Sequence, residues 1–190
     1  VGYVSTRTAV RELTHDLYSV MADDVDGKGN AIDVFWLQFM QEAKARGSML
    51  LLVDMPNALA PTMASQLATR TAPYWAVVAP ELLTDYSVGD DGKFDFAEFS
   101  GTFKRGDDVI QCTWHFDREE WKVLDKEKKV LDEGAHPLGE CPLLIFTEGA
   151  DFPSFGPFAA IADLSKRLFN LDSELDEILR AQTFSLLTMQ

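Results

Sequence analysis

Between Lys93 and Phe146 the apolar residues recur at about every second position, and this change of period constrains the fold more than any other feature of the chain. Phe94 to Lys104 is one such run and Asp108 to Phe116 the next, parted by Arg105-Gly106-Asp107. Glu119 to Leu124 and Lys129 to Glu133 follow, joined by polar turns of hairpin length. In the second run Ile110, Cys112, Trp114 and Phe116 alternate with Gln111, Thr113 and His115, so one face is expected to be buried and the other wet. The first run changes phase between Phe96 and Phe99, which predicts a bulge or bend. Leu143 to Phe146 reads as a last buried strand.

On either side of this meander the pattern is helical. Thr6 to Ala22 carries Val10, Leu13, Leu17, Val20 and Met21 at helical spacing. A loop over Asp23 to Asn30 follows, with Asn30 placed to cap a second helix from Ala31 to Arg46 that Gly47 ends. The stripe of that helix is Ile32, Phe35, Trp36, Phe39, Met40 and Ala43. Met49 to Asp54 is apolar on both faces, as a central buried strand would be. Pro56 and Pro61 bracket a loop, Thr62 to Arg70 predicts a short helix, Pro73 to Ala79 a strand, and Pro80 to Leu83 one helical turn. Gly149 to Gly156 is a loop, and Pro157 suits the first turn of a long final helix over Pro157 to Gln190, with a break expected near Thr183. The fold class is therefore α+β: N-terminal helices and a buried strand, an antiparallel β-meander, and a long C-terminal helix. Residues 1–150 are read as one α+β domain and 151–190 as the helix. A chain opening on Val1 and closing on the apolar Phe184 to Gln190 stretch is expected to be a middle piece of a larger protein.

Several chemistries are weighed and set aside. Of the 190 residues, 31 are acidic and 17 basic, for a net charge of -14, which argues against a surface that grips phosphate backbones. Half-formed calcium loops occur around Gly29, with Asp24 and Asp26, and around Gly92, with Asp91, Asp95 and Glu98; each lacks half of its ligands. Cys112, His115, His136 and Cys141 have the element types of a zinc site, but strand alternation would point Cys112 and His115 to opposite faces. Two cysteines make no disulfide framework. The meander aromatics, Phe94, Phe96, Phe99, Phe103, Trp114, Phe116 and Trp121, lack the basic neighbours of a base-stacking platform, so a sheet core is expected. The longest apolar run, Met49 to Val53, is too short to span a membrane. No nucleophile motif, phosphate loop or dinucleotide fingerprint is present, and no enzyme is expected.

A set of motifs in fixed order carries a family resemblance. It comprises Asp24 to Phe35, Leu51-Leu52-Val53-Asp54-Met55-Pro56, Pro73-Tyr74-Trp75-Ala76-Val77 with Pro80-Glu81, His136-Pro137-Leu138-Gly139-Glu140-Cys141-Pro142-Leu143, and Ala162-Asp163-Leu164 in the last helix. Over nearly its whole length the chain resembles the portal proteins, or head-tail connectors, of tailed phages and prophages, in the region that holds the wing and the beginning of the stem. The resemblance implies a virion structural protein, made in the host cytoplasm and placed at a capsid vertex as a ring of about twelve copies through which DNA is packaged and ejected. It implies terminase and head-completion proteins as partners, transient non-specific passage of DNA, and neither catalytic residues nor cofactor nor metal. The clip and crown regions of that family lie outside this chain. Leu164, Leu168, Leu171, Leu175, Ile178 and Leu179 are the candidate subunit-interface residues, in a stripe that also takes in Phe158 and Ile161. The acids Asp163, Asp172, Glu174, Asp176 and Glu177 fall between them. The alternatives are a standalone protein-binding domain, working through the meander edge or the last helix, and a metal-dependent hydrolase built on the acidic loops.

Overall fold

The computed structural model describes residues 16–56, 62–69, 71–149 and 152–187, with side chains through residue 183. In chain order the elements are α1 (Asp16–Asp23), α2 (Ile32–Arg46), β1 (Ser48–Asp54), α3 (Met63–Thr69), β2 (Tyr74–Val78), a 3-10 turn (Pro80–Leu82), β3 (Leu83–Val88), β4 (Phe94–Arg105), β5 (Asp108–Phe116), β6 (Glu120–Leu124), β7 (Val130–Ala135), β8 (Leu143–Thr147) and α4 (Ala159–Leu187). The class is α+β, with antiparallel sheets and a long C-terminal helix. Thr6 to His15, the first part of the expected N-terminal helix, lies outside the described residues.

β1 is the middle strand of a three-stranded sheet ordered β2-β1-β8, and both of its faces are dry. Successive side chains of a strand point to opposite faces. Leu50 and Leu52, with their cross-strand neighbours Val78, Ala76, Ile145 and Leu143, therefore face one way. Met49 and Leu51, with Phe146, face the other. Leu50 is 0% exposed and Leu51 1%. The first face packs on the inner side of a five-stranded meander, β3-β4-β5-β6-β7, through Phe94, Ala97, Phe99 and Phe116. The second takes the stripe of α2, with Phe35 and Phe39 buried and Val25 completing the cluster. Three layers result: helices, small sheet, meander.

The meander follows the sequence reading closely. Ile110, Trp114 and Phe116 stand opposite Phe103, Phe99 and Ala97, and Trp121 and Val123 continue the same face on β6. The opposite face is polar, with Glu98, His115, Lys122 and Glu133 abreast across four strands. The change of phase in β4 falls earlier than the sequence suggests. The β3–β4 pairing is irregular at two places: between Phe94 and Phe96, where the inward face changes and β3 pairs Val88 with Phe94 but Ser87 with Phe96, and at Glu98 and Phe99, which pair with Asp85 and Leu83. Phe94 is thus inside, while Phe96 is outside and stacked on His115.

Four expectations are corrected. β8 does not extend the meander; it leaves that sheet and pairs with β1. β3 takes the place of a connection without strand signals in the sequence, because its Thr84, Asp85 and Ser87 mask a strand at a sheet edge. Asn30 does not cap α2. The capping position is Ala31, without a side-chain hydrogen bond, and the Asn30 amide donates instead to Asp26 at 2.7 Å. Finally, α4 runs unbroken past Thr183, whose hydroxyl donates to the Leu179 carbonyl at 2.7 Å without interrupting the helix.

Leu50→Ala removes a side chain sealed between two sheets and is expected to lower unfolding stability by about 3 kcal/mol. Leu171→Ala, on the exposed helix, should change it by less than about 0.5 kcal/mol in dilute protein. Urea unfolding followed by tryptophan fluorescence measures both, and equal losses would mean that α4 packs on its own domain.

Candidate assembly interface

α4 starts from a tightly bound root. α2 ends at Gly47, which adopts φ 87° and donates its N–H to the Ala43 carbonyl at 2.8 Å, a left-handed cap that glycine accommodates without steric cost. A Cβ there would come within 2.2 Å of the Gly156 nitrogen, and one on Gly156 within 2.2 Å of the Ala45 carbonyl oxygen. The two backbones can meet only because both residues are glycine. Gly156 donates to the Arg46 carbonyl at 2.9 Å. Next to it the buried Ser48 hydroxyl donates to the Ser154 carbonyl at 3.0 Å and accepts the Ser154 N–H at 2.6 Å, across 106 residues of sequence. Phe152 adds an apolar anchor, edge-on to both Tyr86 and Phe94.

Beyond this root the helix is uncovered. Every side chain from Ala159 to Thr183 is exposed. The six candidate interface residues, Leu164, Leu168, Leu171, Leu175, Ile178 and Leu179, lie between 51% and 69% exposed. The stripe does not lie against this domain's own sheet. Phe158, Ile161 and Phe169 are also exposed. Ile161 completes the 3-4 spacing at the front of the stripe; Phe169 stands off it, and its exposure could not be read from the period. A contiguous apolar stripe of this length left bare is a mark of an interaction surface. The helix is about 43 Å long at the usual rise, and an isolated helix in water is only marginally stable. Good helix formers and the Arg167–Asp163 pair at 3.0 Å help to hold it. Its polar side is mixed, because Lys166, Arg167 and Arg180 stand among the five acids.

The other candidate groups are engaged elsewhere. Cys112 and Cys141 are buried, free thiols, and Cys141 belongs to the core between the sheets. Burial raises both pKa values, that of Cys141 to about 11, so neither is a ready thiolate at neutral pH. His115, on the opposite face from Cys112, meets Glu98 at 3.1 Å. His136 approaches the Asp117 carbonyl at 3.2 Å. The zinc constellation is therefore dispersed, and among the described residues no group of three or more His, Cys, Asp or Glu is placed to hold a metal.

The acidic loops are closed by their own hydrogen bonds. Asp24 accepts the Gly29 N–H at 2.8 Å, and Asp26 accepts from Lys28 and Asn30. Burial acts to raise the Asp26 pKa, and the hydrogen bonds from Asn30 and Lys28 outweigh it, leaving the carboxyl below its usual range. Asp91 accepts from the Lys93 backbone, and Asp95 is paired with Arg118 at 2.6 Å.

A shallow cavity of about 470 Å³ lies beside α2, floored by Phe35, Phe39, Met49 and Val77. Its charged rim, Glu42 and Arg46, forms an ion pair at 3.1 Å, and Arg46 also binds Glu81. Among the described residues no helix is long and apolar enough to cross a membrane. No protein-family model matches the chain, and no curated protein matches it.

The Cys141 shift has a consequence for pH. A group whose folded pKa is raised binds its proton more tightly in the native state, so its stabilisation is complete below the unfolded value and lost as pH rises through the folded one. Stability is expected to fall between about pH 9 and pH 11. Cys141→Ala should flatten part of that fall in a urea midpoint measured against pH; an unchanged slope would contradict the assignment.

Proposed function

We propose that this chain is a subunit of a homo-oligomeric ring of the portal type, and that α4 is the element through which neighbouring copies pack. The observation that carries the reading is α4 itself, firmly rooted at Gly47 and Gly156 yet bare along its apolar stripe. A side chain such as Leu171 or Leu175 gains roughly 1.5–3 kcal/mol when taken fully out of water. A neighbouring copy supplies the cover that the domain does not.

The ordered motifs from Asp24 to Leu164 support the portal form of this reading. The net charge of -14 is in keeping with a surface past which DNA slides. Carboxylates repel phosphate and release no counterions, so they supply no adhesion. In this reading the chain is a structural component of a virion, works with terminase and head-completion proteins, and performs no catalysis of its own. The three-layer domain is the rigid body that sets the angle of the helix.

Leu171→Glu with Leu175→Glu places two charges on the stripe and leaves the sheet cores untouched. In the intact protein this double variant is expected to abolish large rings in electron micrographs and in mass measurements, while the circular dichroism of the meander is kept. Normal rings from the double variant would remove α4 from assembly. A wild type that never exceeds a one-to-one complex with another protein would favour the standalone binding domain instead.

A further inference from the structure

The stripe of α4 has a more specific form than an apolar face. Ile161, Leu164, Leu168, Leu171, Leu175 and Ile178 follow one another at alternating intervals of three and four, which is the heptad of a coiled coil, with Ile161, Leu168 and Leu175 at the first core position and Leu164, Leu171 and Ile178 at the second. All six are more than half exposed, and they lie on a helix that is continuous across them. A strict seam of this kind is narrower than the face a globular core requires, and its natural complement is another such seam.

We propose that two copies of this chain pair through α4 as an antiparallel two-stranded coiled coil, with Ile161 of one against the partner's Ile178. In that register Leu164 meets the partner's Leu175 and Leu168 meets the partner's Leu171, so all six core positions are filled with aliphatic side chains. The flanking positions agree as well. Arg167 lies beside the partner's Glu174, and by the two-fold symmetry this ion pair occurs twice. Phe158 meets the partner's Leu179, Ala160 the partner's Ala181, and Ser165 the partner's Asp172. Two exposed apolar residues outside the heptad core, Phe158 and Leu179, thereby gain cover.

The parallel arrangement fits less well. It keeps one kind of ion pair, Arg167 with the partner's Asp172, but sets Glu174 against the partner's Leu179 and leaves Phe158 without an apolar neighbour. It also brings two acidic domains to the same end, whereas the antiparallel pair separates them. The Arg167–Asp163 pair within one helix is exposed and can share Arg167 with the partner's Glu174 at little cost.

The pair goes beyond the ring reading and shares with it only the bare helix. In a ring with rotational symmetry neighbouring helices run the same way, so a chain held in an antiparallel pair is outside the ring. The pair is the form in which free subunits keep their seam dry before assembly.

Light scattering on the 190-residue chain at micromolar concentration tests this directly. The wild type is expected at twice the 21.2 kDa chain mass. Glu174→Arg turns two attractions into two repulsions and should weaken the dimer about tenfold. Adding Arg167→Glu should restore it to within about twofold. For polarity, Ile161→Cys mixed with Ile178→Cys should give a disulfide-linked heterodimer on oxidation, while Ile161→Cys alone should give little. Circular dichroism and the unfolding midpoint check that each variant is folded. A monomer at all concentrations overturns the pair, as does a dimer indifferent to the charge reversal or not rescued by the double change. Ready linkage of Ile161→Cys to itself overturns the antiparallel direction. Large closed rings from the wild type overturn the pair while upholding the ring.

Discussion

The burial of β1 on both faces is the constraint from which the rest of the structure follows. A strand with Leu50 and Leu51 both excluded from water needs an apolar layer on each side and a hydrogen-bonded neighbour on each edge. The meander supplies one layer and α2 the other. β2 and β8 supply the edges, and β8 is drawn from the far end of the domain to do so. The segment after β8 is thereby delivered next to the end of α2. That is where Gly47 and Gly156 meet and where the Ser48 hydroxyl bonds both the N–H and the carbonyl of Ser154. Closing the small sheet and fixing the root of α4 are one event.

That coupling bears on how the helix could act. A long helix on a loose linker would transmit little, because the linker would absorb any displacement. Here two backbones too close for a Cβ, a buried serine and an aromatic anchor hold the segment just before the helix, Phe152 to Gly156, against the end of α2 and the start of β1. A load applied along α4 would be borne by the three-stranded sheet and, through Leu50 and Phe94, by the meander. Rigid root and bare shaft together suit an element that is completed by neighbours.

Much of this was legible in the chain. The period-two alternation from Ile110 to Phe116 identified β5 and its inner face, because strand geometry leaves no other way to bury Trp114 and Phe116 together. Gly47 marked the end of α2, and the doubly apolar Met49 to Val53 marked the central strand. What the sequence concealed was non-local. Nothing in Leu143 to Phe146 says that its partner is β1 and not β7, since both choices bury the same residues. The meeting of Gly47 with Gly156 depends on that pairing and was invisible with it. β3 escaped because an edge strand can be largely polar. The seam of α4 was readable from its spacing, but its exposure was not, because spacing names the apolar side of a helix and not the body that covers it.

Amide hydrogen exchange across residues 159–187, followed as protein concentration is raised, tests most directly whether α4 is completed by other copies. In dilute protein the helix should exchange orders of magnitude faster than β1, since no tertiary contact protects it. Its protection should then climb with concentration while that of β1 stays constant. Strong protection of α4 that matches β1 and does not depend on concentration would mean that the helix is covered by its own chain, and would contradict the account.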